Sequence, residues 1–261
     1  MNPRDERFFD PEQNSLRKKL SKLIDKYRIC TMKLSTEDAG MPFEDIRERH
    51  RLFGDLLPLQ LKIGGPEARN DMRTGVTIGC RALIAPMVES PYSLRNFLHS
   101  CREVLGEKKF SFIDKQVNIE TKQAAANIEE ILGIEAADEL AQVTIGRHDL
   151  CRSFGEKPNH PRVLEATKKV VDVAREKNIS SSVGGRITPD DARMIAEDIK
   201  PDKINTREVG FYTPGGAEAK ETVKSILEFE MDLLKHERMF YRREDDRLTG
   251  RIEKLKGRQG R

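Results

Sequence analysis

Short apolar runs rich in β-branched residues alternate along this chain with longer segments in which apolar and charged positions follow a helical period. The predicted strands cover residues 29–34, 59–63, 82–88, 110–119, 142–145, 179–183 and 203–206. The predicted helices between them include residues 43–57, 92–104, 124–131, 161–176 and 189–198. Such alternation predicts parallel strands that are joined by helical crossovers.

The fold class expected from this order is α/β, as a TIM-type (β/α) barrel. Seven predicted strands are one short of a closed eight-stranded barrel. Either one strand is poorly signalled, or the barrel is modified at its N-terminal end, where residues 1–14 show no strand pattern. A doubly wound open sheet is the alternative.

The pattern changes after Thr213-Pro214-Gly215-Gly216, where apolar positions trace one long helical stripe. We therefore expect a barrel catalytic domain over residues 1–214 and a C-terminal helical extension over residues 215–261. The stripe continues towards Leu248, Ile252 and Leu255. It either covers the barrel or packs on a second subunit, and we expect a homo-oligomer formed through this helix.

Composition narrows the class of protein. The 261 residues are 37% hydrophobic and 35% charged, and no apolar run approaches the roughly 20 residues of a membrane span. The N-terminus has no apolar signal region, so we expect a cytoplasmic protein without a membrane partner. The four cysteines lack the spacing of a zinc site.

The charge is also informative. A net charge of +3 from 47 basic and 44 acidic residues does not indicate a nucleic-acid partner. The C-terminal tail is locally basic, but acidic residues are interleaved with the basic ones, which predicts a solvated helix face. Its basic residues are Arg242, Arg243, Arg247, Arg251, Lys254, Lys256, Arg258 and Arg261.

Functional groups of parallel barrels lie at the carboxyl ends of the strands. Glu120 and Asp149 follow two neighbouring predicted strands, so together they can supply oxygen ligands to Mg²⁺ or Mn²⁺. The alternative is that each carboxylate caps the helix after its strand. His148 adjoins Asp149, but adjacent residues at a strand end are expected to point apart.

Several motifs at these strand ends resemble the HpcH/HpaI aldolase and citrate lyase beta-chain family. The resemblance implies a metal-dependent lyase with Glu120 and Asp149 as the metal ligands. The motifs run in order as Ser35-Thr36-Glu37-Asp38-Ala39, Ala85-Pro86-Met87-Val88-Glu89-Ser90, Ile119-Glu120-Thr121, Gly146-Arg147-His148-Asp149-Leu150 and His160-Pro161-Arg162-Val163.

The chain departs from the family pattern at two positions. Lys62 stands on the second strand, where the family usually has an arginine, and a lysine lacks the forked guanidinium that grips a carboxylate. Asp38 follows Glu37, where the aldolase branch has a histidine in its base. The resemblance therefore leaves the substrate and the proton-transfer group open.

Further substrate-binding candidates sit in the same strand-end segments. Arg147 and Arg207 suit a carboxylate or phosphate, or form ion pairs at the rim. Gly184 and Gly185 allow close backbone approach to an anion, or simply form a turn. Lys33 and Glu89 complete this set of candidates.

The expected function is a carbon–carbon lyase or aldolase acting on a small 2-oxo acid, in which the ion stabilises an enolate. Lys62 adds positive charge at the enolate oxygen, and Glu37 or Asp38 orients a water as proton shuttle. One alternative is a Schiff-base aldolase that uses Lys62 or Lys33. The other is a non-catalytic binding or assembly subunit.

Overall fold

The computed structural model of the protein describes residues 8–240 and 246–259. No helix within these two ranges is long and apolar enough to span a membrane.

Eight strands form a closed barrel in which each strand pairs with its neighbours in sequence order, and the first pairs with the last. The first seven run parallel, as predicted. An α/β barrel is therefore confirmed, and the open sheet is excluded. The strands are β1 (Ile29–Ser35), β2 (Leu59–Lys62), β3 (Ala82–Ala85), β4 (Asp114–Ile119), β5 (Leu140–Gly146), β6 (Ser180–Gly184), β7 (Lys203–Asn205) and β8 (Val209–Tyr212).

The strand without a sequence signal is β8, which runs antiparallel to both β7 and β1. It has four residues and follows β7 after a turn of three residues, so the sequence offers neither a long apolar run nor an intervening helix. The irregularity thus lies where the barrel closes. The predicted alternative, a barrel modified at its N-terminal end, is not seen, because that end carries a helix before β1.

The strands are surrounded by helices with clear start signals. In four of them, a capping side chain is followed by a proline whose fixed φ suits the first helical turn. These pairs are Asp10-Pro11, Ser90-Pro91, His160-Pro161 and Thr188-Pro189. The helices are α1 (Pro11–Tyr27), α2 (Phe43–Phe53), α3 (Arg69–Ile78), α4 (Pro91–Phe112), α5 (Lys122–Ala126), α6 (Ile128–Leu132), α7 (Arg147–Phe154), α8 (Pro161–Glu176), α9 (Pro189–Met194), α10 (Gly216–Phe240) and α11 (Asp246–Arg258).

Helix α10 belongs to the same hydrophobic core as the barrel. Its apolar stripe, including Val223, Leu227 and Leu234, is buried within the single chain. The ring of Phe229 packs edge to face against that of Phe53 in α2, with 6.0 Å between the ring centroids. Of the two roles expected for the stripe, covering the barrel is the one seen. The homo-oligomer stays a prediction.

The direction of β8 decides where the C-terminus goes. Because β8 runs back from the mouth formed by the carboxyl ends of the parallel strands, α10 begins at the opposite end of the barrel. Ser225 there donates a hydrogen bond to the Tyr27 hydroxyl, just before β1 begins. Further along, Glu230 accepts hydrogen bonds from Thr206 Oγ1 and the Glu208 N–H in the β7–β8 turn. Helix α10 therefore rises towards the mouth, and α11 starts from there.

Helix α11 is fastened at the mouth by a buried ionic cluster. Arg251 pairs with Glu208, and Glu208 also meets Arg49 of α2 at 3.0 Å. Arg49 in turn pairs with Glu237 of α10 at 2.7 Å. The basic tail is thus not only a solvated face, because burial of its apolar side brings one row of cations onto the barrel. Arg242, Arg243 and Arg261, together with the side chain of Arg247, lie outside the described residues.

We expect Arg251→Met to loosen α11, since it deprives a buried carboxylate of one of its two cations. Breaking a buried pair costs about 3 kcal/mol. Limited proteolysis should then cut the chain between α10 and α11 faster, while Lys256→Met, on an exposed position of α11, should leave the cutting rate unchanged. Equal cutting rates for both variants would show that the cluster does not hold the helix.

Candidate active site

A cavity of about 100 Å³ opens at the mouth of the barrel. Its wall comes from the carboxyl ends of β1, β2, β4, β5, β6 and β7, and from α11. Among the described residues, it is lined by the three carboxylates Asp38, Glu120 and Asp149 and by six cations, which are Lys33, Lys62, Arg186, Arg207, Lys254 and Arg258. Cations outnumber carboxylates, so the cavity suits an anionic ligand.

Glu120 directly follows β4 and is almost fully buried. Its Oε1 accepts hydrogen bonds from Lys62 Nζ at 3.2 Å and from Asn118 Nδ2 at 3.0 Å. Its Oε2 accepts one from the Met87 N–H at 3.3 Å. A Cβ on Gly146 would lie 2.6 Å from Oε1, so any larger residue there would force this carboxylate to move. The local packing therefore holds Glu120 in one orientation.

Asp149 and His148 both line the cavity. They belong to the first turn of α7 and not to β5, so the alternation of side chains along a strand does not separate them. Burial lowers the pKa of His148, and Arg186 lowers it further against the opposing effect of Asp149. The expectation that His148 points away is therefore wrong.

Lys62, the last residue of β2, lies between two carboxylates. Its Nζ is 3.2 Å from Glu120 Oε1 and 2.9 Å from Glu37 Oε2. Burial alone would lower the pKa of Lys62, but Glu120, Asp38 and Glu37 together raise it above its ordinary value. Lys62 thus remains an ammonium, which does not suit a Schiff-base nucleophile.

The acidic turn after β1 brings Glu37 to Lys62 and Asp38 to the cavity wall. Burial alone would raise the pKa of Asp38, but Lys33, a hydrogen bond from Ser35 and the charges of Lys62 and Arg207 hold it well below its usual range. A carboxylate with such a low pKa is a weak base. Asp38 therefore suits electrostatic contact with Lys33, Lys62 and Arg207 better than proton transfer.

Lys33 on β1 lines the cavity beside Asp38. Its Nζ has no hydrogen bond or ion pair with any residue that the structure describes. Burial lowers the pKa of Lys33, and Lys62 and Arg207 oppose the raising effect of Asp38. Of the two lysines considered as nucleophiles, Lys33 is the one whose pKa is lowered, so it loses its proton more easily than Lys62.

Two predicted substrate-binding residues lie elsewhere. Arg147 is fully buried and does not line the cavity, since its Nη2 donates to the Pro158 carbonyl at 3.0 Å and to Asn159. Glu89 accepts a hydrogen bond from Thr121 Oγ1 at 2.5 Å and joins the loop after β3 to the start of α5. Both positions support the scaffold, and neither is placed to contact a ligand in the cavity.

The other predicted positions do meet at the cavity, including Arg207, Gly184 and Gly185. Gly185 has a φ of 94°, and a Cβ there would lie 2.5 Å from the backbone nitrogen of His148. Only glycine permits this approach. The pair therefore brings the loop after β6 against the start of α7, which is why the loop reaches the cavity.

Some residues that line the cavity were not predicted from the sequence as site residues. Asn118 lies two positions before Glu120 on β4, and that period of two is the signal that could have identified it. Arg186 directly follows the glycine pair. Lys254 and Arg258 lie far along the chain from every strand end, and only the position of α11 brings them here.

The residues present fit a divalent cation bound by Glu120 and Asp149. A carboxylate offers about four lone-pair sites, and Glu120 uses three of them for the donors named above. Asn118 Oδ1 is buried and accepts no hydrogen bond within the described part of the chain, so an acceptor is available beside the carboxylate. The described residues contain no cluster of three or more potential metal ligands. This arrangement suits Mg²⁺, which commonly takes one or two carboxylates and completes its coordination with water and substrate.

Residues 64–198, just over half of the chain, match the HpcH/HpaI aldolase/citrate lyase family. The chain belongs to this family, and membership places it among lyase enzymes of the aldolase and citrate lyase type. The family generally depends on a divalent metal. A comparison with curated proteins gives no match.

Solved structures show the same fold. An HpcH/HpaI aldolase from Desulfitobacterium hafniense is 17% identical, with a TM-score of 0.58, and the match covers 73% of this chain and 82% of that one. A family protein from Burkholderia cenocepacia is 13% identical, with a TM-score of 0.59 and coverage of 74% and 83%. The citrate synthase SbnG is 16% identical, with a TM-score of 0.56 and coverage of 72% and 80%.

Proposed function

We propose that this protein is a metal-dependent carbon–carbon lyase or aldolase that acts on a small 2-oxo acid. One observation carries the proposal: Glu120 and Asp149 line the same cavity, with the Lys62 ammonium 3.2 Å from Glu120 Oε1. This arrangement supports a site where two carboxylates hold Mg²⁺ or Mn²⁺ and a cation stands beside the reacting oxygen. The ion would supply Lewis-acid stabilisation of the negative charge that develops on the keto oxygen.

The chain's own residues supply the remaining chemistry. Lys62 keeps its positive charge at the cavity wall and favours the negative charge that develops on the keto oxygen in the transition state over the uncharged keto group of the bound substrate. Glu37 holds Lys62 in place through an ion pair of 2.9 Å, and Asp38 adds a negative charge beside Lys33. Lys33 replaces the acidic turn as our candidate for proton transfer, because its pKa is lowered towards the range in which a neutral amine can accept a proton.

The proposal is tested by a partial reaction that needs no aldehyde acceptor. An enzyme that forms the enolate of pyruvate exchanges the methyl protons of pyruvate with D₂O, and ¹H NMR follows the loss of the methyl signal. We expect exchange in the presence of Mg²⁺ or Mn²⁺, its loss in EDTA and its return when metal is added. Full exchange in EDTA would contradict the metal-dependent mechanism, and metal binding without exchange or turnover of any oxo acid would favour a non-catalytic subunit.

The two carboxylates can also be tested without turnover. A ligand that binds only the folded state at 100 times its Kd stabilises it by about 2.7 kcal/mol. We therefore expect Mn²⁺ to raise the Tm of the wild-type protein, and this rise to disappear in Glu120→Gln and Asp149→Asn. Asp198→Asn, at an exposed carboxylate on the outer helical layer, is the matched control and should keep the full rise. An unchanged metal response in both site variants would refute the ligand assignment.

One alternative is favoured by a specific observation. Lys33 is unpaired among the described residues, and its pKa is lowered, as a Schiff-base nucleophile requires. Borohydride added together with pyruvate would then trap a covalent adduct on Lys33, and exchange would persist in EDTA. Absence of an adduct in the mass of the protein, together with loss of exchange in EDTA, favours the metal-dependent mechanism.

A further inference from the structure

Helix α11 turns one row of cations towards the barrel mouth. Arg251, Lys254 and Arg258 are separated by three and four residues, which places them on one face of the helix. Arg251 has a carboxylate partner in Glu208. Lys254 and Arg258 line the cavity instead. Lys254 has no hydrogen bond or ion pair within the described ranges, and Nη1 of Arg258 is buried without a hydrogen-bond partner.

Two more cations meet this row from the barrel side. Arg186 lines the cavity without a partner among the residues described, and the Nε of Arg207 is buried without one. The guanidinium of Arg207 lies 3.9 Å from Asp38, which is long for an ion pair. Burial lowers the pKa of Arg258, and Arg207 and Arg186 lower it further, against a raising effect of Glu230. Like charges thus converge here, and the described residues leave buried guanidinium nitrogens of Arg207 and Arg258 without a hydrogen-bond acceptor.

The backbone conformation of Arg186 also supports a binding role for this loop. Its φ is 52°, in the left-handed region that few residues other than glycine adopt. Such conformations cost free energy and concentrate at functional sites. The adjoining Gly185, packed on the start of α7, holds this loop at the cavity.

We propose that Arg186, Arg207, Lys254 and Arg258 bind a second acid group of the substrate, a carboxylate or a phosphate. The enzyme then acts on oxo acids that carry two acid groups. The inference rests on the proposed function, in which a metal ion held by Glu120 and Asp149 would bind the first acid group and the keto oxygen. It also gives α11 a role, because the subsite is complete only when this helix is docked.

The test compares the affinities of three ligands for the Mg²⁺-loaded protein by titration calorimetry. Pyruvate has one acid group, 2-oxoglutarate adds a carboxylate, and 3-phosphonopyruvate adds a phosphonate. Each charge-assisted hydrogen bond changes affinity by about 10- to 100-fold, so at least one of the two larger ligands should bind that much more tightly than pyruvate. Whichever does so identifies the second group as a carboxylate or a phosphate.

Substitutions in α11 show whether its cations cause the tighter binding of the larger ligand. Arg258→Gln and Lys254→Gln should reduce the ratio of the affinities for the preferred larger ligand and for pyruvate. Arg258→Lys should keep part of this ratio. Lys256→Gln, at an exposed position of the same helix, should leave it unchanged. Lys254 is itself exposed, so its variant remains informative even if Arg258→Gln disturbs the docking of α11. The inference is overturned if neither larger ligand binds more tightly than pyruvate. It is also overturned if the tighter binding of the larger ligand is unchanged in both Arg258→Gln and Lys254→Gln.

A metal-free titration with inorganic phosphate and succinate separates this inference from the proposed function. The subsite predicts that at least one of these anions binds and weakens about tenfold or more in Arg258→Gln. Such binding without any metal-dependent binding of pyruvate supports the subsite and refutes the proposed function. Pyruvate binding without any Arg258-dependent anion binding refutes the subsite alone.

Discussion

Replacing Lys62 by methionine is expected to slow the exchange of pyruvate protons by about 10²- to 10³-fold, as for one lost charge-stabilising donor. The side chain is buried, and its Nζ is 2.9 Å from Glu37 Oε2 and 3.2 Å from Glu120 Oε1. No other group that the structure describes brings positive charge into contact with Glu120. Methionine has nearly the same shape but no charge, so the loss should appear mainly in the rate of the chemical step.

Arginine at position 62 separates the two mechanisms considered for this lysine. If Lys62 acts only through its charge, Lys62→Arg keeps part of the activity. If Lys62 were a Schiff-base nucleophile, Lys62→Arg would be as inactive as Lys62→Met, because a guanidinium is not a competent nucleophile at neutral pH. Lys115→Met is the matched control, since Lys115 is a buried lysine at the opposite end of the barrel on β4. An inactive Lys62→Arg with full activity in EDTA would overturn the proposed mechanism.

The second large effect is expected for Lys33→Met, which removes the amine we propose as the base. Loss of a positioned general base lowers the rate by about 10²- to 10⁴-fold. In the wild-type protein, exchange should rise with pH through the pKa of Lys33 and then level off, because only the neutral amine accepts a proton. NMR exchange rates over a pH series give this profile, and normal exchange in Lys33→Met would remove Lys33 from the mechanism.

The same variant should become more stable while it loses activity. Burial lowers the pKa of Lys33 in the folded state, whereas in the unfolded chain it is about 10.4. Between these two values the unfolded chain binds more protons, so the contribution of Lys33 to the free energy of unfolding rises with pH. On the acid side of this window Lys33 destabilises the fold, so Lys33→Met should be more stable than the wild-type protein there. Denaturant unfolding from pH 6 to 10 should show the two proteins converging as the pH rises.

Much of the barrel, and several residues that line the cavity, could be predicted from local patterns. Seven strands follow from apolar runs, and Glu120 and Asp149 follow from their places after two of these runs. This works because parallel strands bring their carboxyl ends to one mouth, so a position in sequence translates directly into a position in space. Lys33, Lys62 and Asp38 were found for the same reason.

Positions near the strand ends were less predictable, because the side-chain direction depends on the element in which a residue lies. Arg147 and His148 are neighbours in sequence, yet one is buried against the Pro158 carbonyl and the other lines the cavity. The sequence placed both at the end of a strand. In the structure they open α7, where the helical turn and the close approach of Gly185 decide which side chain reaches the cavity.

The amino-acid sequence by itself determined the alternation of strands and helices, the starts of the four helices that open on a capping residue and a proline, and the set of chemical groups near the strand ends, because each of these depends on neighbouring residues. Only the tertiary structure decided that β8 runs antiparallel, since a four-residue strand takes its direction from pairing with β7 and β1. That one reversal sends α10 up the outside of the barrel and brings α11 to the mouth. Lys254 and Arg258 reach the cavity for this reason, through contacts between segments distant in the chain.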